Sequence, residues 1–444
     1  MKILNFLENI DISRKLIIGF LFAIIIGSLI LRLPISLQDG VEISFVDSLF
    51  TVVSTICVTG LTVVDVSRTF SDFGFSVIAF FIQIGGLGVM TFSLMFFMIL
   101  GRHTSYSTRE LLKAERNSES SGTVIVFIKK LVLTVFIIEM IGAISLFFKF
   151  INIMPLKRAI GYSIFHSISA FCNAGFSLFS TNMEEFRDSL IINFTISFLV
   201  IFGGLGFAVI NSIINFRKKR HGRLNLTSRI AVFTSLILLI VGTVLFFIFE
   251  YNNTLIDLDI PHKLMISFFQ STSLRTAGFN TVQLENIKPE TALISYFLMF
   301  IGASPGSTGG GIKTTTFALS IFFVIGILKK RKNVEIYGRR ISWEIMNNAL
   351  AIIIISMSYI VVATLLILLF ESCSIQAATY EVISAFATVG VSLGITPELS
   401  FASKIIIMFT MFLGRLGPMT IAIAVAGEKK ISNYNYPKED ILIG

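Results

Sequence analysis

Four times along this chain a short apolar stretch ends on a glycine in nearly the same words, and each time it lies between apolar runs long enough to cross a bilayer. The endings are Ser54-Thr-Ile-Cys-Val-Thr-Gly60-Leu-Thr62, Ser169-Ala-Phe-Cys-Asn-Ala-Gly175-Phe-Ser177, Thr272-Ser-Leu-Arg-Thr-Ala-Gly278-Phe-Asn280 and Ser384-Ala-Phe-Ala-Thr-Val-Gly390-Val-Ser392. Aligned on the glycine, all four carry Ser or Thr six residues before it and an apolar residue four before. An apolar residue follows one after, and a small polar residue two after. The glycines are 115, 103 and 112 residues apart. One such ending could be chance; four at matched positions describe a single unit used four times.

The long runs fall at about 16–33, 73–100, 131–148, 190–216, 230–249, 291–328, 349–370 and 405–426. A helix of roughly 20 apolar residues spans the hydrocarbon core, so these read as eight full spans. The short stretches cannot span and read as re-entrant pore helices. Composition agrees, since 54% of the 444 residues are apolar and only 14% charged. A soluble domain of this length needs about a quarter charged residues. The first run has no A-x-A-like cleavage site and is not a signal peptide.

The net charge of +9 is gathered into short stretches, which points to topology and excludes a nucleic-acid site. Arg217-Lys218-Lys219-Arg220 and Lys329-Lys330-Arg331-Lys332 mark cytoplasmic linkers. The expected division is a cytoplasmic tail 1–15, unit one 16–100, linker 101–123, unit two 124–216 and basic linker 217–229. Unit three at 230–328, basic linker 329–345, unit four at 346–426 and a tail 427–444 complete it. Both termini then lie in the cytoplasm, in agreement with Lys429-Lys430. The expected fold is an all-α membrane protein with four tandem span–pore helix–span units in pseudo-fourfold arrangement around one central pore.

Non-helical backbone at membrane depth is tolerated only inside protein or against a water-filled cavity. Four equivalent loops around an axis can aim their carbonyls inward and replace the hydration shell of a monovalent cation. Glycine fits such loops because it takes positive φ at little cost. The helix before each loop turns its negative C-terminal end towards the cation path. The candidate filter residues are Val58, Thr59 and Gly60; Asn173, Ala174 and Gly175; Thr276, Ala277 and Gly278; and Thr388, Val389 and Gly390. Metal binding is expected through carbonyls only: Cys57, Cys172 and Cys373 and four scattered histidines form no zinc pattern. No H-E-x-x-H or G-x-S-x-G motif suggests an enzyme. A secondary transporter with broken helices, carrying another monovalent cation or small solute, is the alternative, though such proteins typically have halves of inverted topology.

These units resemble the Trk/Ktr/HKT superfamily of potassium transporters over nearly the whole chain. Cys57-Val-Thr-Gly-Leu61, Arg275-Thr-Ala-Gly-Phe-Asn280 and Gly302-Ala-Ser-Pro-Gly-Ser-Thr-Gly-Gly-Gly-Ile-Lys313 are similar to the Ktr-type membrane subunits in particular. The second and fourth endings are looser. The resemblance implies potassium as the substrate, with Gly60 at a place where sodium-preferring plant relatives tend to have serine. It also implies a homodimer with one pore per subunit. A cytoplasmic regulatory ring of the KtrA type is expected to bind the nucleotide, with sodium stimulation in several members and no cofactor in this chain.

Within the run 291–328, Pro305 and the glycines of 302–313 cannot sustain a helix, so two half-helices with a loop between them are expected. The stretch from Gly306 to Lys313 is not a Walker A loop, because Ile312 stands where the second glycine should precede the lysine. By resemblance this loop, with Gly306, Gly309, Gly310, Gly311 and Lys313, is the candidate gate. Arg415, in the last run, must face a watery cavity or a partner, or snorkel to the headgroups; the resemblance places it below the filter as an electrostatic barrier.

Arg275 would repel a cation if aimed at the path, so it is expected to point behind the filter, with Glu381 as a candidate partner. Asp47 and Glu381 read most simply as residues that cap or flank their helices. His166 reads as a packed or hydrogen-bonded residue. Glu139 is either a proton or sodium site or a hydrogen-bonding partner of a neighbouring helix. The stretch 104–122 is a surface helix or a contact for the ring, and the tail after Ala426 could dock on a partner.

Overall fold

The computed structural model of the chain describes residues 12–88, 121–214, 224–330 and 334–417. The surface helix expected at 104–122 and the tail with Lys429-Lys430 lie outside the described residues, as do most of the stretches 1–15 and 101–123 expected in the cytoplasm.

The first segment comprises α1 (Ile12–Leu31), α2 (Phe45–Cys57), the short α3 (Val66–Thr69) and α4 (Asp72–Leu87). The second has α5 (Ser121–Phe150), α6 (Leu156–Phe171), α7 (Leu190–Leu205) and α8 (Phe207–Ile214). The third has α9 (Leu226–Glu250), α10 (Ile260–Ser273), α11 (Pro289–Phe300) and α12 (Thr314–Leu328). The fourth has α13 (Trp343–Phe370), α14 (Ile375–Phe386) and α15 (Phe401–Leu416). Local chemistry sets many starts. Ser44, Ser71, Asn225, Ser374 and Ser400 each accept a backbone N–H at an N-cap, and proline opens α10 and α11.

Among the described residues, three helices are long and apolar enough to cross a membrane: Lys130–Phe150, Leu226–Glu250 and Trp343–Phe370. Ile17–Leu31, Asp72–Leu87, Leu190–Leu205 and Thr314–Leu328 are shorter apolar helices. The uninterrupted run expected over 190–216 is two helices, because Gly206 takes φ +88° and ends α7. The run over 291–328 is broken as expected, between α11 and α12. Phe22, Ile141, Leu236 and Leu369 are strongly exposed apolar side chains on the outer helices, a surface that lipid solvates and water does not. The protein is a multi-pass membrane protein.

Small residues let the helices of a segment approach. A Cβ on Gly27 would meet Val52 and Phe81, on Gly142 it would meet Ser167 and Leu199, and on Gly242 it would meet Ser271 and Leu298. Among the described residues, one sheet departs from the helical plan. Within the basic linker, β1 (Val334–Ile336) pairs antiparallel with β2 (Arg339–Ile341). Tyr337 and Gly338 both take positive φ in the turn, the geometry of a tight hairpin. Val334 and Ile336 bury themselves against Ile230, Ala318 and Met346, fastening the hairpin to α9, α12 and α13.

Candidate ion pathway

The helices α2, α6, α10 and α14 all end at a loop glycine, and the four loops fold alike. The residue two before the glycine takes a left-handed conformation, with φ +57° at Val58, +59° at Asn173, +77° at Thr276 and +51° at Thr388. The glycines take φ +100°, +69°, +78° and +91° at 60, 175, 278 and 390, a region that L side chains rarely adopt. The recurring Ser or Thr six residues upstream supplies the splint. Thr59, Ala174 and Val389 each donate their N–H to the carbonyl of that residue at 2.8 Å. The hydroxyls of Ser54 and Ser384 accept from Gly60 and Gly390 at 3.0 and 3.1 Å. The third loop differs by one position: Ser273 binds Ala277 N–H through its carbonyl at 2.9 Å and Phe279 through its hydroxyl.

The loops meet in a ring. A Cβ added to Gly60 would lie 2.6 Å from the Ala174 carbonyl oxygen, and one on Gly175 2.8 Å from that of Ala277. One on Gly278 would lie 2.5 Å from the Val389 oxygen, and one on Gly390 would strike the Thr59 oxygen, which returns the series to its start. On one side of the ring, Gly60 and Gly175 line a cavity of about 360 Å³ together with Asp65, Ser180 and Asn182. Burial alone would raise Asp65, but hydrogen bonds from Ser67 and Ser180 hold it below its ordinary value, so it stays an anion at this mouth.

On the other side of the ring lies the chain between α11 and α12. Gly310 donates its N–H to the Thr388 hydroxyl at 2.9 Å. Gly309 packs so closely on the Thr276 hydroxyl, and Gly310 on that of Thr388, that neither has room for a Cβ. The Asn173 amide fits with its nitrogen towards Thr308 and the Phe171 carbonyl and its oxygen towards the Thr276 hydroxyl. Ser304 and Thr308 donate to the Gly204 and Gly203 carbonyls at 2.9 and 3.3 Å, and Phe207 donates back to Gly306 at 3.0 Å. Gly311 sits against Ala387, with φ +68°. The Lys313 ammonium donates to the Gly309 carbonyl at 2.8 Å. Arg415 donates to the Thr308 carbonyl through one terminal nitrogen and to the Gly85 carbonyl through the other. The loop 302–313 is thus bound to all three of the second, third and fourth segments, and Arg415 ties it to the first.

The other sequence candidates lie behind the ring. Arg275 turns away from it and donates to the Ser235 carbonyl and hydroxyl at 3.1 and 3.0 Å. The suggested pairing with Glu381 does not occur. Glu381 accepts instead from Ser392 and Thr396 at 2.7 and 2.5 Å, bracing the fourth loop within its own segment. His166 does the same in the second loop, meeting the Leu178 N–H at 3.2 Å. Glu139 accepts from the Gln83 amide at 3.0 Å, a hydrogen bond between α5 and α4. Asp47 lies beside its N-cap Ser44, whose hydroxyl it accepts at 2.7 Å, and it also pairs with Lys404 at 2.7 Å.

One set of residues escaped the sequence reading. Gly88, Gly206 and Gly417 end α4, α7 and α15 at φ +87°, +88° and +86°, closing the phrases Gly-Gly-Leu-Gly, Gly-Gly-Leu-Gly and Gly-Arg-Leu-Gly. The first glycine of each, Gly85, Gly203 and Gly414, lies against the carbonyl of Ile56, Phe171 and Phe386 with no room for a Cβ. Their recurrence was a legible signal, and it places Arg415 where Gly86 and Gly204 stand in the other phrases.

A family model described as cation transport protein, TrkH, matches residues 16–434. The chain is 37% identical over 433 residues to the Ktr system potassium uptake protein B of Vibrio alginolyticus, covering 97% of this chain and 94% of that one. It is 38% identical to the protein of the same name from Bacillus subtilis, covering 97% and 96%. To the potassium/sodium uptake protein NtpJ of Enterococcus hirae it is 34% identical, covering 96% of each. Among solved structures, the potassium transporter TrkH from Vibrio parahaemolyticus superposes with a TM-score of 0.68 at 19% identity, over 91% of this chain and 84% of that one, a likeness of fold. On this agreement of sequence and architecture, the chain belongs to the TrkH family of cation transport proteins and is a transporter, not an enzyme.

Proposed function

We propose that this chain takes up potassium across the cytoplasmic membrane, with sodium as a second ion it admits or responds to. The observation that carries this reading is the closed series of contacts in which each loop glycine faces the carbonyl of the next loop. Peptide oxygens and glycine backbone meet there, the chemistry that can replace the water of a monovalent cation. The names of the relatives support the choice of ion.

In this reading Val58 to Gly60, Asn173 to Gly175, Thr276 to Gly278 and Thr388 to Gly390 form the filter. The four segments act as equivalent units of an eight-span pore with both termini in the cytoplasm. The loop 302–313 is the gate, held shut against Asn173, Thr276 and Thr388. Lys313 and Arg415 add positive charge to the same place, which opposes a cation until the loop withdraws. Each chain forms its own pore within a homodimer. A cytoplasmic nucleotide-binding ring of the KtrA type supplies the force that moves the loop, as the Ktr-system names of the relatives suggest.

The deciding experiment is cation flux into liposomes holding the purified chain, under potassium or sodium gradients, with and without the ring subunit. Potassium flux that rises with the ring, and a potassium preference that Gly278→Ser abolishes, are expected. Vesicles tight to both ions with the ring engaged and its nucleotide supplied would overturn the proposal.

A further inference from the structure

A side cavity of about 170 Å³ lies between α7 and α9, behind the third loop. Val200, Ile201, Leu205, Val232, Leu236 and Leu239 make its walls, while Ser235, Thr272 and Arg275 supply its polar groups. Leu236 is 54% exposed on a helix apolar enough to span the bilayer, so the mouth opens on lipid. Arg275 immediately precedes Thr276 of the third loop. Its two terminal nitrogens bind Ser235, and its Nε is buried without a hydrogen-bond partner. Among the described residues no carboxylate lies within ion-pair distance of it.

A guanidinium carries five N–H donors, and at membrane depth it is costly unless an anion or acceptors answer it. We infer that this cavity is a lateral binding site for one single-tailed amphiphile with a carboxylate head, taken from the bilayer and seated with its head on Arg275. Charge complementarity selects an anion, and the apolar walls select a chain. Depth selects the head group. Ser235 stands nine residues into α9, about 13 Å along the axis at 1.5 Å per residue. A phosphodiester head is charged at every working pH and stays at the interface. A fatty acid can enter as the neutral acid, its carboxyl oxygens then accept from the guanidinium, and the proton it loses passes to water at the interface. Its occupancy would bear on the backbone of the third loop through Arg275. The inference concerns binding and holds whichever ion the pore conducts.

The test is photolabelling of the full chain in liposomes with a diazirine-bearing palmitic acid, followed by peptide mapping. Saturable labelling confined to residues 200–205 and 232–239 is expected. A tenfold excess of unlabelled palmitate should compete it away, and the same excess of phosphatidylglycerol should not. Arg275→Gln should lower the labelling at least fivefold. Leu236→Trp, which narrows the mouth at an exposed position and leaves the floor intact, should do the same and guards against misfolding of the arginine variant. Labelling spread evenly over all lipid-facing helices would overturn the inference. So would equal competition by phosphatidylglycerol, undiminished labelling in both variants, or a second copy of the chain captured at 232–239 in place of lipid.

Discussion

Asp47, two residues into α2, and Lys404, near the start of α15, form an ion pair 2.7 Å long although 357 residues separate them. Their side chains are only 22% and 17% exposed. The pair joins the first segment to the last, the one seam of the ring that no stretch of chain crosses. Removing either partner leaves a half-buried charge, at a cost of about 1–3 kcal/mol, somewhat below the 3–5 kcal/mol of a fully buried pair. Asp47→Ala and Lys404→Met should each lower the thermal midpoint of the detergent-solubilised protein by several degrees. The double variant should recover part of the loss. Additive losses, read by size-exclusion chromatography after heating, would show that the two residues act independently.

Arg415 holds the intramembrane loop through the Thr308 carbonyl and braces itself on Gly85. Arg415→Gln removes a charge-assisted hydrogen bond and a positive charge from the proposed path together. If the closed position loses about 1.4 kcal/mol, flux without the ring subunit rises about tenfold. Potassium uptake kinetics unchanged in this variant would deprive Arg415 of any part in gating.

Shortening 302–313 by the three residues Gly309 to Gly311 removes the contacts with Thr276, Thr388 and Ala387. Flux in the absence of the ring should again increase. A shortened loop that folds and conducts no more than the parent would exclude it as the gate.

Two glycines offer a contrast. Gly161, in α6, faces open space, and Gly161→Ala should stabilise the protein by about 0.5–1 kcal/mol with no effect on ion preference. Gly175 holds φ +69° with the Ala277 oxygen in its way. Gly175→Ala should lower stability by at least about 1 kcal/mol and reduce potassium-over-sodium preference in a liposome flux assay.

The carboxylate of Glu371 begins past the end of α13 and accepts the Ser400 N–H at 2.7 Å. Burial would raise it, but hydrogen bonds from the Ser403 side chain and from the backbone and hydroxyl of Ser400 bring it below its ordinary value of 4.5. The stability it gives is therefore present above pH 4.5 and is lost as the pH falls through its lower native value. Glu371→Gln should be less thermostable than the parent at pH 7, with a gap that closes below pH 4.5. A gap that stays constant from pH 7 into the acid range would contradict this.

The loops could be read from sequence because positive φ and contact with a neighbouring carbonyl both demand glycine, and the hydroxyl that binds the glycine N–H in the first and fourth loops demands Ser or Thr. Such requirements leave a residue type behind. The broken helix was legible for the same reason, from Pro305 and its glycines. Gly88, Gly206 and Gly417 left an equally clear phrase, hidden because glycine is common in apolar helices and its breaks fall inside runs that composition alone reads as continuous. Asp47 with Lys404, and Arg275 with Ser235, were not legible. Nothing local in either sequence context depends on the partner, and the pairing exists only once the segments have closed on one another. The hairpin 334–341 was missed because its strands are three residues long and its linker reads as charge.

Because the series of glycine-to-carbonyl contacts returns to its own beginning, it has no loose end at which the ring could relax. A bulky group introduced at any of the four stations would push on its neighbour, which pushes on the next, and the displacement would travel around the hoop and arrive back where it began. Its diameter is therefore a property of all four loops jointly, and no single one of them can be tuned alone.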